Sequence, residues 1–251
     1  MINLPDEVWV AGVDGCKGGW VVALGQVKGE TKLPFVVSTI REVFTSDPKP
    51  SIVAIDVPIG LPTYSPAGGR KCEPTIRTIL RGKASSVFRV PCRDAIYAGL
   101  TEGKLDRGKY EAAKTIAKEK STDKKGFSLQ SFYIFDKIAA VDRHLLDHQE
   151  IGGNVYEAHP ELTFHYMKNG IHALPSKKTP KGITERNELL RKAGIPSNVI
   201  EARPLRDAKP DDALDALACL VTARRIALCL AKQHPENPCR DDRGLPMAIW
   251  A

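Results

Sequence analysis

The sequence lacks the features that mark several large classes of protein. No apolar run approaches the roughly 18 residues that a membrane-spanning helix needs, so we expect no membrane span. The amino-terminal stretch MINLPDEVWV has no basic segment followed by a long apolar one, which argues against a signal peptide. We also find no internal repeat and no low-complexity tract, so nothing in the chain indicates a repeat architecture.

Cysteine is present, but not in the spacings of a structural framework. The six cysteines form no CxxC pair and no zinc-binding pattern. In a chain of 251 residues this favours reduced thiols and predicts a cytoplasmic protein. They are Cys16, Cys72, Cys92, Cys219, Cys229 and Cys239.

The composition is that of a soluble globular protein with a basic balance. Apolar residues make up 42% and charged residues 27% of the chain, values that allow a sizeable core. We predict a single domain spanning 1–251. The net charge of +7 and the isoelectric point near 9.1 fit a polyanionic partner such as nucleic acid, although charge alone does not establish one.

Hydrophobic patterning predicts an α/β fold. β-branched and apolar runs predict strands, and the first three should be joined as hairpins. A short helix over 40–45 then leads to a fourth strand, which we expect beside the first and parallel to it through a right-handed crossover. The predicted strands are 8–14, 20–27, 34–39, 51–57 and 154–158.

The remaining segments are predicted to be mostly helical. Residues 59–150 should form a helical insertion between the fourth and fifth strands, with helices over 102–120 and 128–148. The longest helix is expected over 211–232, where alanine and leucine alternate with acids.

Acidic residues follow two of the predicted strands. Asp14 ends the first strand and Asp56 ends the fourth, so the parallel pairing would bring both carboxylates to one edge of the sheet. Two carboxylates that close repel each other unless a cation lies between them, and we expect at least one raised pKa there. The alternative for Asp14 is an ordinary turn residue that accepts backbone N–H bonds beside Gly15.

More acids open the predicted last helix. Asp211, Asp212 and Asp215 stand at i, i+1 and i+4, so Asp215 shares a helix face with each of the others. Capping and the helix dipole would account for two of them without any metal. Asp215 lies a turn deeper, where capping explains it less well. With Asp14 and Asp56, these acids predict a site for two Mg²⁺ or Mn²⁺ ions, an arrangement able to drive displacement at phosphorus.

Glu157 and His159 alternate along the fifth strand and share a face. Either could orient the attacking water in such a site. A basic segment that follows the fourth strand supplies candidate phosphate contacts, for which a solvated basic helix is an equal alternative. The candidate substrate-binding residues are Arg70, Arg77, Ser85, Ser86, Arg89 and Arg93, together with Lys177 and Lys178 of a later loop.

The motifs that carry these residues resemble those of a known family. They are GVDGCKGGWVVA, AIDVPIGLP, GRKCEPTIRTIL, KASSVFRVPCR, YEAHPELTF and KPDDALDALACLVTARR. Together they resemble the family catalogued as domain of unknown function 429, over about residues 8–230. Its members are described as predicted nucleases with a ribonuclease H-like fold.

That resemblance implies a specific architecture and activity. It implies a five-stranded mixed sheet in the order 3-2-1-4-5, with the last helix packed across it. It also implies a metal-dependent nuclease that acts on DNA or RNA, with acids on the first strand, the fourth strand and the last helix. Asp14 would bridge both ions, and Asp56 with Asp212 or Asp215 would complete the site.

Two other functions use the same core. One is a non-catalytic protein that binds nucleic acid or a nucleotide. The other is an ATP-dependent kinase-like enzyme, because DGCKGG loosely resembles a phosphate loop, but such enzymes need two copies of the core and this chain shows one. The sequence does not indicate an oligomeric state.

Overall fold

The computed structural model describes residues 4–170, 174–202 and 206–251 and divides into two compact units. The first comprises Met1–Val57, Gly153–Gln233 and Trp250–Ala251, and the second comprises Pro58–Gly152 and His234–Ile249. The boundaries of the long middle stretch lie close to those predicted for the helical insertion, 59–150.

The described residues form nine β-strands of very different lengths. In chain order they are β1 (Trp9–Cys16), β2 (Gly19–Gln26), β3 (Phe35–Val37), β4 (Ile52–Ile55), β5 (Leu100–Thr101), β6 (Lys104–Leu105), β7 (Val155–Ala158), β8 (Gln233–His234) and β9 (Ile249–Trp250).

Ten α-helices lie in the same described ranges, together with short 3-10 helices at Arg81–Ser86, Arg107–Lys109 and Gln149–Asn154. The α-helices are α1 (Ile40–Phe44), α2 (Cys72–Ile79), α3 (Arg93–Ala98), α4 (Tyr110–Glu119), α5 (Leu129–Phe132), α6 (Phe135–Asp147), α7 (Pro160–Met167), α8 (Pro180–Lys192), α9 (Ser197–Glu201) and α10 (Pro210–Ala227).

The main sheet is mixed and has seven strands in the order β3-β2-β1-β4-β7-β9-β8. β1 and β2 pair antiparallel, as do β2 and β3, whereas β4 runs parallel to both β1 and β7. The predicted parallel pairing of the first and fourth strands is therefore confirmed. The five predicted strands occupy the first five positions, and β9 and β8 extend the sheet beyond the prediction because two-residue strands carry no readable alternation.

The predicted helix over 102–120 is wrong at its start. Lys104 and Leu105 form β6, which pairs with β5 in a small separate sheet. Gly103 adopts a positive φ of 80° in the turn between these two strands. The Asp106 side chain then accepts a hydrogen bond from the Gly108 N–H (2.9 Å), and the α-helix begins only at Tyr110.

Four aromatic rings form part of the core of the second unit. Phe127 and Phe135 meet edge to face with centroids 4.8 Å apart, and Phe132 lies 5.3 Å from Phe135. Tyr110 closes the group 5.1 Å from Phe132. Offset and edge-to-face pairs of this kind stabilise a core beyond the area that they bury. Within the described ranges, no helix has the length and apolar character needed to cross a bilayer.

In the first unit, α10 packs directly across β1, and a glycine permits the close approach. A Cβ added at Gly12 would lie 1.9 Å from the Leu220 nitrogen and 2.2 Å from the Ala216 oxygen. Both of these are backbone atoms, so no side-chain movement could relieve the clash. Gly12 therefore sets the distance between the sheet and its longest helix.

We predict that Gly12→Ala lowers the free energy of unfolding by about 3 kcal/mol, the upper range for overpacking a core. Gly153→Ala is the matched control, since its added Cβ would meet nothing within 4 Å. Urea denaturation of both variants measures the difference. Equal stability of the two variants would show that α10 is not held at this distance by Gly12.

Candidate metal centre

The register of β1 and β4 brings two carboxylates side by side. Val13 pairs with Ile55 in the parallel ladder, and the Asp56 N–H donates to the Val13 carbonyl (2.9 Å). Asp14 and Asp56 each follow directly on these paired positions. Because strand alternation repeats every two residues, both side chains lie on the same face of the sheet.

Helix α10 brings a third carboxylate to that face. Gly12, two residues before Asp14 on β1, lies against Ala216 of this helix. Because residues two apart on a strand share a face, α10 covers the face of β1 that carries the Asp14 side chain. Asp215 is 5% exposed, and its charge acts on Asp14. The acidic cluster of this unit therefore consists of Asp14, Asp56, Asp211, Asp212 and Asp215.

Asp212 has a capping function as well. Its Oδ2 accepts a hydrogen bond from the Lys209 N–H (2.8 Å), which satisfies a backbone donor at the start of the helix. Pro210 occupies the first turn, where its missing N–H costs nothing. This is the capping alternative that the sequence offered, and it applies to Asp212 rather than to the deeper Asp215.

Burial and mutual repulsion raise the pKa values of the cluster. Burial raises the pKa of Asp14 well above its usual value, and the charges of Asp56 and Asp215 raise it further. Burial also raises the pKa of Asp56 to about 7, and that of Asp215 to about 7, although in both cases Lys177 counteracts part of the shift. The raised pKa expected from the sequence is therefore present.

Lys177 places a positive charge inside the acidic cluster. Its ammonium donates to Asp215 and lies 3.5 Å from Oδ2 of Asp211. Burial alone would lower the pKa of Lys177, but the charges of Asp215, Asp211 and Asp14 outweigh it and the pKa is raised. The sequence predicts a phosphate contact for Lys177, and in the structure this side chain binds carboxylates.

Glu157 lies on β7 beside the cluster, and His159 follows the end of that strand. Glu157 is buried, stands in register with Ile55, and raises the pKa of Asp56 through its charge. His159 is the amino-terminal cap of α7, where its Nδ1 accepts from the Leu162 N–H (3.3 Å). This bond orients the ring at the start of α7.

A buried ion pair next to the cluster was missed from the sequence. Glu161 binds Arg186 through both carboxylate oxygens (2.7 and 2.9 Å), and its charge also raises the pKa values of Asp56 and Asp215. Arg186 is 0% exposed. One sequence feature could have indicated that Arg186 is buried. It lies four residues after Gly182 and four before Leu190, on the buried face of α8.

The carboxylates of the cluster are suitable ligands for a divalent cation, but their side chains are not arranged around one. Carboxylate oxygens are the ligands that Mg²⁺ and Mn²⁺ prefer, and the crowded acids require positive charge. Across residues 4–170, 174–202 and 206–251, however, no three His, Cys, Asp or Glu side chains stand around one point closely enough to hold a metal ion. In the structure, the cationic contact with Asp215 comes from Lys177 instead.

The sequence was compared with protein families and with known proteins. A family model described as a protein of unknown function, DUF429, matches residues 12–240. The chain belongs to this family. The matched range includes all five acids of the cluster and Lys177. Comparisons with curated proteins and with solved structures gave no significant match.

The second unit of this DUF429 protein contains the arginines predicted to bind substrate, and two of them are structural. Arg70 is 2% exposed, and its Nε donates to Glu73 (2.6 Å) while Nη1 donates to the Ile59 carbonyl (2.7 Å). Arg93 forms a bidentate pair with Asp142 (3.1 Å for each bond) and also binds Asp241 (2.7 Å). Both guanidinium groups therefore neutralise buried acids of their own unit.

The other predicted substrate residues are arranged differently. Arg77 donates to the Gly68 carbonyl (2.8 Å), and Arg89 pairs with Asp123 (2.8 Å). Ser86 donates to the Lys83 carbonyl (2.7 Å). Ser85 and Lys178 are exposed. Of the predicted set, these last two present the most accessible side chains.

We predict that Arg93→Ala lowers the free energy of unfolding by about 3–5 kcal/mol, because it leaves the buried Asp142 and Asp241 without their cation. Arg81→Ala removes an exposed arginine from the same unit and should change stability by less than about 0.5 kcal/mol. Chemical denaturation compares them. A small effect at Arg93 would mean that its ion pairs contribute little to the fold.

We also predict that the metal-free protein loses stability as the pH rises from 5.5 to 8. The folded state raises the pKa of Asp56 and of Asp215 from 3.8 to about 7, so in this window it binds protons more tightly than the unfolded state. Asp215→Asn removes one such group and should reduce the loss by about 2 kcal/mol.

The measurement is denaturant unfolding in EDTA at both pH values. Asp6→Asn, which changes an exposed acid of the same unit, serves as the control and should keep the wild-type pH dependence. A wild-type slope in Asp215→Asn would contradict the raised pKa of Asp215.

Proposed function

We propose that this protein is a metal-dependent nuclease that hydrolyses phosphodiester bonds in DNA or RNA. The observation that carries the proposal is the acidic cluster. Asp14 lies in β1 and Asp56 directly follows the parallel strand β4, and α10 adds Asp215, with burial and repulsion raising all three pKa values. Strongly perturbed carboxylates gathered in one place are typical of a functional site.

The sheet supports a ribonuclease H-like interpretation of the fold. The first five positions follow β3-β2-β1-β4-β7, which is the order that the family resemblance implied. Three antiparallel strands precede a crossover to a parallel fourth, and α10 packs across the sheet. Asp14 on β1, Asp56 directly after β4 and the acids of α10 are consistent with the positions expected for that fold.

Each side chain has a distinct part in the proposed site. Asp14, Asp56 and Asp215, with Asp211 or Asp212, would hold Mg²⁺ or Mn²⁺, which would supply positive charge to the phosphate and lower the pKa of a bound water. Glu157 would accept a proton from, or orient, that water. His159, which follows the same strand and caps α7, is the second candidate for that role.

The basic character of the chain supports a nucleic-acid substrate. A net charge of +7 favours association with a polyanion at low salt. Lys178 and Ser85 are the candidates among the predicted substrate residues whose side chains are exposed. Arg70 and Arg93 are left out of the proposed substrate contacts because each is bound to acids within its own unit.

A binding protein without catalysis is the second candidate. It is favoured by the contact between Lys177 and Asp215, which supplies positive charge to the cluster without any metal. In that case the acids would serve the structure alone, and their replacement would leave nucleic-acid binding intact. A direct assay of cleavage separates the two candidates.

We predict that the purified protein cleaves single-stranded or double-stranded DNA or RNA in Mn²⁺ or Mg²⁺, and that EDTA abolishes the cleavage. Asp14→Asn should lower the rate by about 10³-fold, which corresponds to about 4 kcal/mol of barrier. Asp6→Asn is the matched exposed control and should cleave like the wild type. Cleavage of labelled oligonucleotides measures the rates.

The outcomes distinguish the candidates clearly. Binding at low salt without cleavage in any metal would replace the nuclease with the non-catalytic binding protein. Cleavage that persists in Asp14→Asn would show that the activity does not come from this cluster. A protein that neither binds nor cleaves nucleic acid would refute both candidates.

A further inference from the structure

Lys177 is held in a well-anchored segment rather than on a free surface loop. On its carboxyl-terminal side, Thr179 caps α8 and donates through Oγ1 to the Ser176 carbonyl (2.8 Å). On its amino-terminal side, the Pro175 carbonyl accepts from the buried Arg186 (2.8 Å). Gly182 lies so close that an added Cβ would come 2.0 Å from the Ser176 oxygen. The backbone on both sides of Lys177 is therefore packed against α8.

Glu161 beside the cluster and Asp212 within it already have dedicated partners. Glu161 forms its bidentate pair with Arg186, and Asp212 accepts from the Lys209 N–H. Asp215 and Asp211 both contact Lys177, whose side chain is only 30% exposed. A cation in this position lowers the energy of two neighbouring carboxylates that would otherwise repel each other.

We propose that Lys177 is the resident counter-ion of the acidic cluster, and that a divalent cation binds the cluster in competition with its ammonium. The proposal rests on the proposed function in one respect, because it takes Asp215 as a metal ligand. It explains why the described acids do not surround a common point. Oδ2 of Asp215, an oxygen that a metal would use, is bound to Lys177 in this structure.

The competition has a physical basis in shared oxygens. A carboxylate oxygen that accepts from an ammonium must release it before the same lone pair can bind a metal. A metal ion next to a retained lysine would also experience repulsion between two positive charges. Metal binding therefore requires the Lys177 side chain to move away from Asp215, and removing its charge should make binding tighter.

The test compares Lys177→Met with Lys192→Met, in which an exposed lysine on α8 of the same unit loses the same charge. Calorimetric titration of the 251-residue chain with Mn²⁺ at pH 8.5, where protons compete little, gives the affinity. We expect Lys177→Met to lower the Kd for Mn²⁺ about tenfold, equivalent to about 1.4 kcal/mol. Lys192→Met should bind Mn²⁺ like the wild type.

Thermal unfolding supplies a second, independent readout. Without metal, Lys177→Met should have a lower Tm than the wild type, because the cluster loses its cation. Saturating Mn²⁺ should then raise the Tm of Lys177→Met by more than it raises that of the wild type, since the ion binds the folded state. If the methionine variant does not fold, Lys177→Gln provides the same comparison.

Each outcome decides the matter. Equal Mn²⁺ affinity in the wild type and Lys177→Met, or weaker affinity in the variant, would overturn the competition, as would the absence of Mn²⁺ binding in both. Tighter binding in Lys177→Met alone supports it. No nucleic acid enters these measurements, so competition between lysine and metal in a protein that cleaves nothing would leave this inference standing while the nuclease proposal failed.

Discussion

The parallel pairing of β1 with β4 is the constraint on which the site depends. Main-chain hydrogen bonds fix the register, and the bond from the Asp56 N–H to the Val13 carbonyl lies beside the two carboxylates themselves. Asp14 and Asp56 cannot separate without breaking the centre of the sheet. Their repulsion must therefore be relieved locally, by a proton, by a cation or by hydrogen bonds.

The protein uses all three kinds of relief, for different acids. Asp212 is relieved by a backbone N–H at the start of α10, and Glu161 by a buried arginine. Asp14, Asp56 and Asp215 depend on the charge of Lys177 and on protonation, as their raised pKa values indicate. These three acids have the least complete compensation, and all three are among the five that the sequence proposed as metal ligands. Asp212, also proposed as a ligand, has a capping hydrogen bond as well.

Sequence patterns were sufficient to locate the long strands and their acids, although β1 continues two residues past Asp14 to Cys16. The apolar runs before Asp14 and Asp56 predict buried strands. The short helix between the hairpin and the fourth strand predicts a right-handed crossover that sets the fourth strand parallel to the first. The two-residue strands β8 and β9 carried no such pattern. The ion-pair partners of Lys177, Arg93 and Arg186 could not be predicted from the sequence either, because a long flexible side chain can reach acids that are distant in sequence. Local spacing therefore located the carboxylates but not the cations that bind them.

The energetic cost of the cluster is itself evidence for a function. Carboxylates whose folded pKa values are raised weaken the fold at neutral pH, whereas an amide of the same shape would not. Other contacts of the same unit stabilise it: Gly12 allows α10 to pack against the backbone of β1, and Arg186 neutralises Glu161 beside the site. A unit selected for stability alone would have no reason to keep three poorly compensated acids together. Binding of a divalent cation would convert this local instability into affinity, because the ion relieves repulsion that the fold has already imposed.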